Sequence, residues 1–222
     1  MKKSSIGVLD ILRGVNMTIK FAALSAAAVL AVVGSTPALA VTNFFTNFDS
    51  YAVASGGYVV IPTVEGWTAT TGAGIELQNN AAGSPFSASN LVELDSFNNT
   101  TMSRMIDAGS YTLSYYYSPR PSQPVSTNGI EVLLGSTVIG AISGLGGSNT
   151  VWTQYTATFT TSTATMLHFR AVGTDDSLGG YIDDISLEGR AVPEPTTWAM
   201  MVFGFGLAGF AMRRRQVALA AA

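Results

Sequence analysis

The chain has 222 residues, 47% of them hydrophobic and only 11% charged, with a net charge of −3, no cysteine and one histidine. Soluble domains carry about 25% charged residues, so this balance argues against a nucleic-acid binder, a coiled coil and a charge-rich disordered chain. Zero Cys excludes a disulfide framework, a thiolate metal site and a cysteine nucleophile, and a lone His argues against the usual multi-histidine zinc centre.

The charge is unevenly placed. Lys2, Lys3, Arg13 and Lys20 lie near one end, and Arg213, Arg214 and Arg215 near the other. Between Val41 and Val192, four Arg and no Lys stand against twelve acids, a net charge of −8. An acidic body between two basic, apolar ends is the pattern of an exported protein with two membrane-interacting segments.

Residues 1–40 read as a signal-peptide region. Lys20 supplies the positive start, Phe21 to Val33 the apolar run, and Ala38-Leu39-Ala40 the cleavage site, with Ala38 and Ala40 as its small positions. The Sec translocon and signal peptidase are the implied partners. Counted from Met1 the signal is 40 residues, against about 15–30 for most; counted from Met17 it is 24. Met17 is therefore the expected initiator. The alternative is an uncleaved anchor, for which the run is short of the about 20 residues a span needs.

Residues 41–190 show almost no helical periodicity. Short runs rich in Thr, Val, Tyr, Phe and Ile are separated by Gly, Ser, Asn and Pro clusters. In Tyr111–Tyr117, the odd-numbered positions share one face; in Val151–Phe159, Tyr155 and Phe159 share a face opposite Trp152 and Gln154. Further strands are expected at 42–48, 93–94, 102–106, 130–134, 137–143, 165–172 and 181–187. Eight or nine short strands without helices predict an all-β, antiparallel β-sandwich. Loops 79–90, 119–129 and 144–150 are the expected variable tips.

Several residues are candidates for chemistry. Asp183 and Asp184 are adjacent, so on a regular strand they point to opposite faces. An inward carboxylate needs hydrogen bonds or a cation, and Asp49 near the first strand is the natural partner for a Ca²⁺ ion. The alternatives are a solvated pair or carboxylates that accept backbone N–H groups. Trp67 and Trp152, with Tyr58 and Tyr116, are candidates for a sugar-stacking surface, or else core residues. Arg120, held between two prolines, would contact a glycan, or else pair with an acid. His168 sits in a strand without a nucleophile-elbow motif. Glu93, Asp95 and Glu131 supply the acids a glycosidase would need, among many scattered acids. None makes an enzyme the expected reading.

A resemblance covers most of residues 43–188. Its pieces are Asn47-Phe48-Asp49, Gly66-Trp67, Val92 to Ser96, Tyr117 to Pro121, Asn128 to Val132, Trp152 and Gly179 to Leu187. In that order they are similar to the galactose-binding-like jelly rolls of secreted bacterial proteins and to the DUF642 wall proteins of plants. The resemblance implies carbohydrate or cell-wall contact, and one structural Ca²⁺ tying the first strand to the last.

Residues 191–215 form the most informative stretch. Val192-Pro193-Glu194-Pro195 is stiffened by its prolines, which block helix entry until Pro195. An apolar run from Trp198 to Met212 follows and ends at Arg213-Arg214-Arg215. A single transmembrane helix over 198–212 is expected, with the arginines cytoplasmic and 216–222 as a short tail. Gly204, Gly206 and Gly209 match G-x-G-x-x-G, but no strand precedes them and no acid follows, so close helix packing explains them better than a dinucleotide. Pro193, Glu194, Pro195, Trp198, the three glycines and the arginine triplet together resemble the PEP-CTERM sorting signal of Gram-negative bacteria, in its Trp-Ala subtype. The resemblance implies processing by an exosortase and delivery to the cell surface, often with exopolysaccharide.

The expectation is thus an exported, non-enzymatic surface or exopolysaccharide-matrix protein. The alternative is a carbohydrate-binding module that grips exopolysaccharide; the remote alternative is a wall-active glycoside hydrolase.

Overall fold

The computed structural model describes residues 41–191 and 195–220. The signal-peptide region with Met17, Ala38 and Ala40, and the Pro193 and Glu194 positions, lie outside the described residues.

Thirteen strands form two antiparallel sheets: β1 (Phe44–Thr46), β2 (Gly57–Ile61), β3 (Thr63–Val64), β4 (Trp67–Thr71), β5 (Ile75–Asn79), β6 (Leu91–Glu93), β7 (Thr101–Ile106), β8 (Gly109–Ser118), β9 (Ile130–Leu134), β10 (Thr137–Ile142), β11 (Thr153–Thr161), β12 (Thr165–Ala171) and β13 (Tyr181–Arg190). One sheet runs β11-β8-β13-β6-β5-β2, with β1 also on β13; the other runs β10-β9-β12-β7-β4-β3. The expected sandwich forms, and the alternation read at 111–117 holds: Tyr111, Leu113, Tyr115 and Tyr117 are all buried.

The segment from Gly57 to Asn79 holds four strands the sequence reading left unassigned. Their hinge is Glu65-Gly66, where both residues have positive φ (46° and 85°) and Val64 pairs with Trp67. Two consecutive positive φ values make a type I′ hairpin turn. Gly66 adopts this readily; Glu65 pays strain, and its carboxylate then accepts the Phe48 and Ser50 N–H groups at 3.2 and 3.1 Å.

The two sheets meet through aromatic edges. Phe169 of β12 receives Tyr115 of β8 at 5.0 Å from the other sheet and Trp67 of its own sheet at 5.6 Å, both edge-to-face. Around them pack Leu77, Val92, Leu113, Ile130, Val132, Leu167, Ile182, Ile185 and Leu187. Burying each such side chain contributes about 1.5–3 kcal/mol.

A single helix, α1 (Pro195–Ala220), follows the sandwich. It contains the expected 198–212 segment and extends beyond it. Its residues Ala199–Phe210 are exposed, and nothing lies within 4 Å of a Cβ built on Gly204, Gly206 or Gly209. Among the described residues, no helix is long and apolar enough to cross a membrane.

Candidate functional site

The loop from Asn80 to Asn90 folds back over the outer face of the larger sheet, and carboxylates hold it there. Asp49 Oδ1 accepts the Ser89 N–H at 2.9 Å, the Ser89 hydroxyl at 2.8 Å and the Asn90 N–H at 2.9 Å. Asp183 Oδ2 accepts the N–H groups of Phe86 (2.9 Å) and Ser87 (3.2 Å), and Oδ1 that of Asp184 (2.8 Å). Asp184 Oδ1 accepts the Ser87 hydroxyl at 2.6 Å.

Asp183 and Asp184 therefore serve the same loop, not opposite faces. A register shift between Asp183 and Ser186 and a φ of +46° at Asp184 break the strand's alternation. Asp183 is fully buried, and burial raises its pKa to about 7, against the pull of the Ser87 N–H.

The pinned loop presents an aromatic platform. Phe86, 41% exposed, stacks on Tyr116 of β8 with ring centroids 3.6 Å apart. Trp152, half-buried just before β11, meets Phe86 edge-on at 6.1 Å. Its Nε1 donates to Ser84 O at 3.0 Å, and Thr150 Oγ1 donates to the same carbonyl. Beside the platform lies a polar cleft of about 250 Å³ lined by Asn80, Gly83, Ser84, Pro121, Asn149 and Thr150. Away from it runs a flat hydroxyl surface. Ser110, Thr112 and Ser114 of β8 pair with Thr160, Thr158 and Thr156 of β11, and at its far end a groove of about 700 Å³ includes Thr112, Thr158, Glu188 and Arg190.

Two expected glycan contacts are corrected. Trp67 is 0% exposed, wedged between Phe44 and Phe169, so no ligand can stack on it. Arg120 is spent on a buried ion pair: its Nη1 donates to both carboxylate oxygens of Glu93. Trp152, for which surface and core were both open, is half-buried beside Tyr116 and Phe86. Tyr58 is exposed on the edge strand β2. Phe86 was missed because a phenylalanine in a Ser/Ala/Pro loop has no periodicity to declare a face.

The Arg120–Glu93 pair belongs to a polar network that the sequence did not reveal. Gln78 Nε2 donates to Glu76 and Glu93, Tyr181 Oη donates to Gln78 Oε1 at 3.2 Å, and the Gly179 N–H donates to Glu93. Glu93 is fully buried, and burial pushes its pKa up to about 8, opposed by Arg120 and assisted by Glu76. Glu93 and Asp95 are both 0% exposed, and Glu131 is paired with Arg170. Glu131 lines a cleft of about 410 Å³, but no second carboxylate lines that cleft beside it, as glycoside hydrolysis requires. His168 Nδ1 bonds the Ser103 hydroxyl at 2.6 Å across β12 and β7. Ser103 is 1% exposed and also bonds Thr70, so the pair ties strands together and offers no accessible nucleophile.

The Ca²⁺ that the sequence resemblance implies has a partial fit. Both Asp183 oxygens already face N–H donors, which a cation would repel. Asp49 Oδ2 and Asn90 Oδ1, by contrast, are buried oxygens without a hydrogen-bond partner.

The C-terminal segment settles one point. Residues 191–215 match the PEP-CTERM protein-sorting motif. The chain carries a PEP-CTERM sorting signal. That motif implies an exosortase as partner and export to the cell envelope or surface. No curated protein matches the chain. Among solved structures, the K1 cleaved adhesin domain of Lys-gingipain from Porphyromonas gingivalis W83 is similar at 13% identity and TM-score 0.53, over 68% of this chain and 99% of that one. The K2 cleaved adhesin domain of Lys-gingipain is similar at 16% identity and TM-score 0.50, over 66% and 97%. The CBM22-1 xylan-binding domain of Xyn10C from Paenibacillus barcinonensis is similar at 10% identity and TM-score 0.42, over 64% and 100%. These likenesses concern the fold.

Proposed function

We propose that this is a non-catalytic surface protein of a Gram-negative bacterium, exported through the Sec translocon, trimmed by signal peptidase and exosortase, and delivered into the exopolysaccharide matrix. The single observation that carries this reading is the sorting motif at residues 191–215. The Val192-Pro193-Glu194-Pro195 sequence supplies the site for cutting. The open glycine face of α1 offers close helix contact to the sorting enzyme, and the basic Arg213–Arg215 cluster closes the motif. Mass spectrometry of the mature C-terminus, in cells with and without exosortase, tests it. Loss of α1 only when the enzyme is present is expected; a mature product that retains Trp198–Arg215 in both strains overturns it.

A second reading follows from the platform. Exposed aromatic faces beside hydroxyl rows suit carbohydrate, whose apolar ring faces stack and whose hydroxyls hydrogen-bond. In this reading Phe86, Tyr116 and Trp152 hold exopolysaccharide, and the β8–β11 hydroxyl surface extends the track. Where a structural Ca²⁺ is resident, Asp49 Oδ2 and Asn90 Oδ1 would hold it and stiffen the loop that carries Phe86.

A further inference from the structure

The larger sheet ends at β11, which pairs with β8 on one side and with no other strand among the described residues. Such an edge leaves a row of main-chain N–H and C=O groups open to a further strand, and proteins blunt edges with shortness, bulges, prolines or charges. The other three sheet ends are blunted in this way. β3 has two residues, β10 is bulged between Val138 and Gly140, and β2 has five residues and stops at Pro62. β11 has none of these devices. It is nine residues long and keeps unbroken register with β8, from Thr153 opposite Tyr117 to Thr161 opposite Gly109. It contains no proline and no charged residue.

The sequence of β11 also reads nearly alike in both directions. About Ala157, Thr156 mirrors Thr158, Tyr155 mirrors Phe159, and Thr153 mirrors Thr161. A two-fold interface sets the same patch of each copy against itself and so needs self-complementarity. Antiparallel pairing about Ala157 supplies it. Tyr155 of one copy would lie opposite Phe159 of the other on the inner face, and Thr156 opposite Thr158 on the outer face. Aromatic pairs and threonine pairs are favourable cross-strand neighbours. The two aromatics have area left to bury. Tyr155 stacks on Tyr115 at 5.8 Å and Phe159 lies 5.6 Å from Tyr111, so each packs against the core on one side, yet both remain half-buried.

Charge singles out the same edge. The body between Val41 and Val192 carries −8, so two copies repel over most of their surface. From Val132 to Phe169 there is no Asp, Glu, Lys or Arg, and β11 lies within that stretch. We propose that β11 pairs antiparallel with β11 of a second copy of this chain, about a two-fold axis at Ala157, joining the two larger sheets into one. The assembly closes at two copies, because each spends its one unblunted edge. The pairing does not depend on glycan binding.

The test uses the full-length chain in detergent, which has no cysteine of its own. Directly opposed Cα atoms of an antiparallel pair lie about 4.5–5.5 Å apart, within the about 4.4–6.8 Å that a disulfide spans. Ala157→Cys is therefore expected to give a covalent dimer with diamide as oxidant. Thr153 would face Thr161 of the other copy, so the two Thr153 positions would stand about 27 Å apart, and Thr153→Cys is expected to stay single. Light scattering of the wild type across a concentration series is expected to reach twice the chain's mass. Thr156 and Thr158 have neutral neighbours on β8, Ser114 and Thr112, so charges are tolerated there in one copy. Thr156→Lys with Thr158→Lys sets like charges opposite each other across the two-fold and is expected to abolish the dimer; Thr156→Lys with Thr158→Glu sets opposite charges there and is expected to restore it. The proposal is overturned by a wild type that is monomeric throughout, by a dimer that the two lysines leave intact, by a lysine–glutamate variant that stays monomeric, or by equal cross-linking at the two cysteine positions.

Discussion

Arg120→Ala separates a structural role for Arg120 from a ligand-binding one. Its guanidinium is held by Glu93, a carboxylate with 0% exposure, on the covered outer face of the larger sheet. Removing one partner of a buried pair costs about 3–5 kcal/mol, because the other charge is left without compensation. For a domain of about 150–250 residues, each kcal/mol shifts the melting temperature by about 2–4 °C. Thermal melting should therefore fall by about 6–20 °C at a pH above 8, where Glu93 is ionised. The pH profile provides a second readout. The Glu93 pKa is raised from 4.5 to about 8 in the folded chain, so folding takes up a proton between those values. Stability from this group is thus lost as pH rises through that window. Without Arg120 the folded pKa moves higher still, so the variant's deficit from this charge should be small up to about pH 8, where Glu93 is largely protonated in both chains, and should grow as pH rises above 8, where only the wild type offsets the ionised carboxylate. Adding Glu93→Gln should restore part of the stability above pH 8. A melting temperature that stays at the wild-type value while exopolysaccharide binding disappears would refute this reasoning and return Arg120 to the ligand.

Trp67→Ala should cost about 3–5 kcal/mol, read by chemical denaturation, and leave the glycan affinity of the folded fraction unchanged. Phe86→Ala with Trp152→Ala should do the reverse: binding to native exopolysaccharide in a sedimentation assay is lost, while the far-ultraviolet circular dichroism of the sandwich persists. Asp183→Asn tests the loop anchor, since its amide oxygen can still accept the Phe86 N–H. With a folded pKa raised from 3.8 to about 7, the native carboxyl makes stability decline as pH rises between those values. The asparagine variant should lack that part of the slope in melting curves taken from pH 4 to 7, and an unchanged slope would count against burial as the cause. Gly206→Leu in α1 should leave the sandwich's melting unaltered and slow exosortase processing, read by the precursor-to-mature ratio on immunoblots.

Composition and local pattern carried the large-scale reading. Alternation at Tyr111–Tyr117 is visible in the chain because each residue's face depends only on its neighbours' spacing. The sorting motif is equally local, since Pro193 to Arg215 act as a continuous string. The strands from Gly57 to Asn79 escaped because a run such as Tyr58-Val59-Val60-Ile61 does not alternate, and because Glu65 adopts a turn conformation that its residue type disfavours. The site was less legible still. Trp67 and Trp152 are the same residue type, yet one fills the core and the other rests on Ser84 at the surface. Arg120 and Glu93 are 27 positions apart, and Asp183 meets the Phe86 N–H across 97. Residue types and spacing thus determined the C-terminal sorting signal and the all-β body. Only the packed sandwich decided which aromatics meet solvent, which carboxylates accept N–H groups and which buried oxygens go without a partner, because burial and pairing arise between segments distant in sequence.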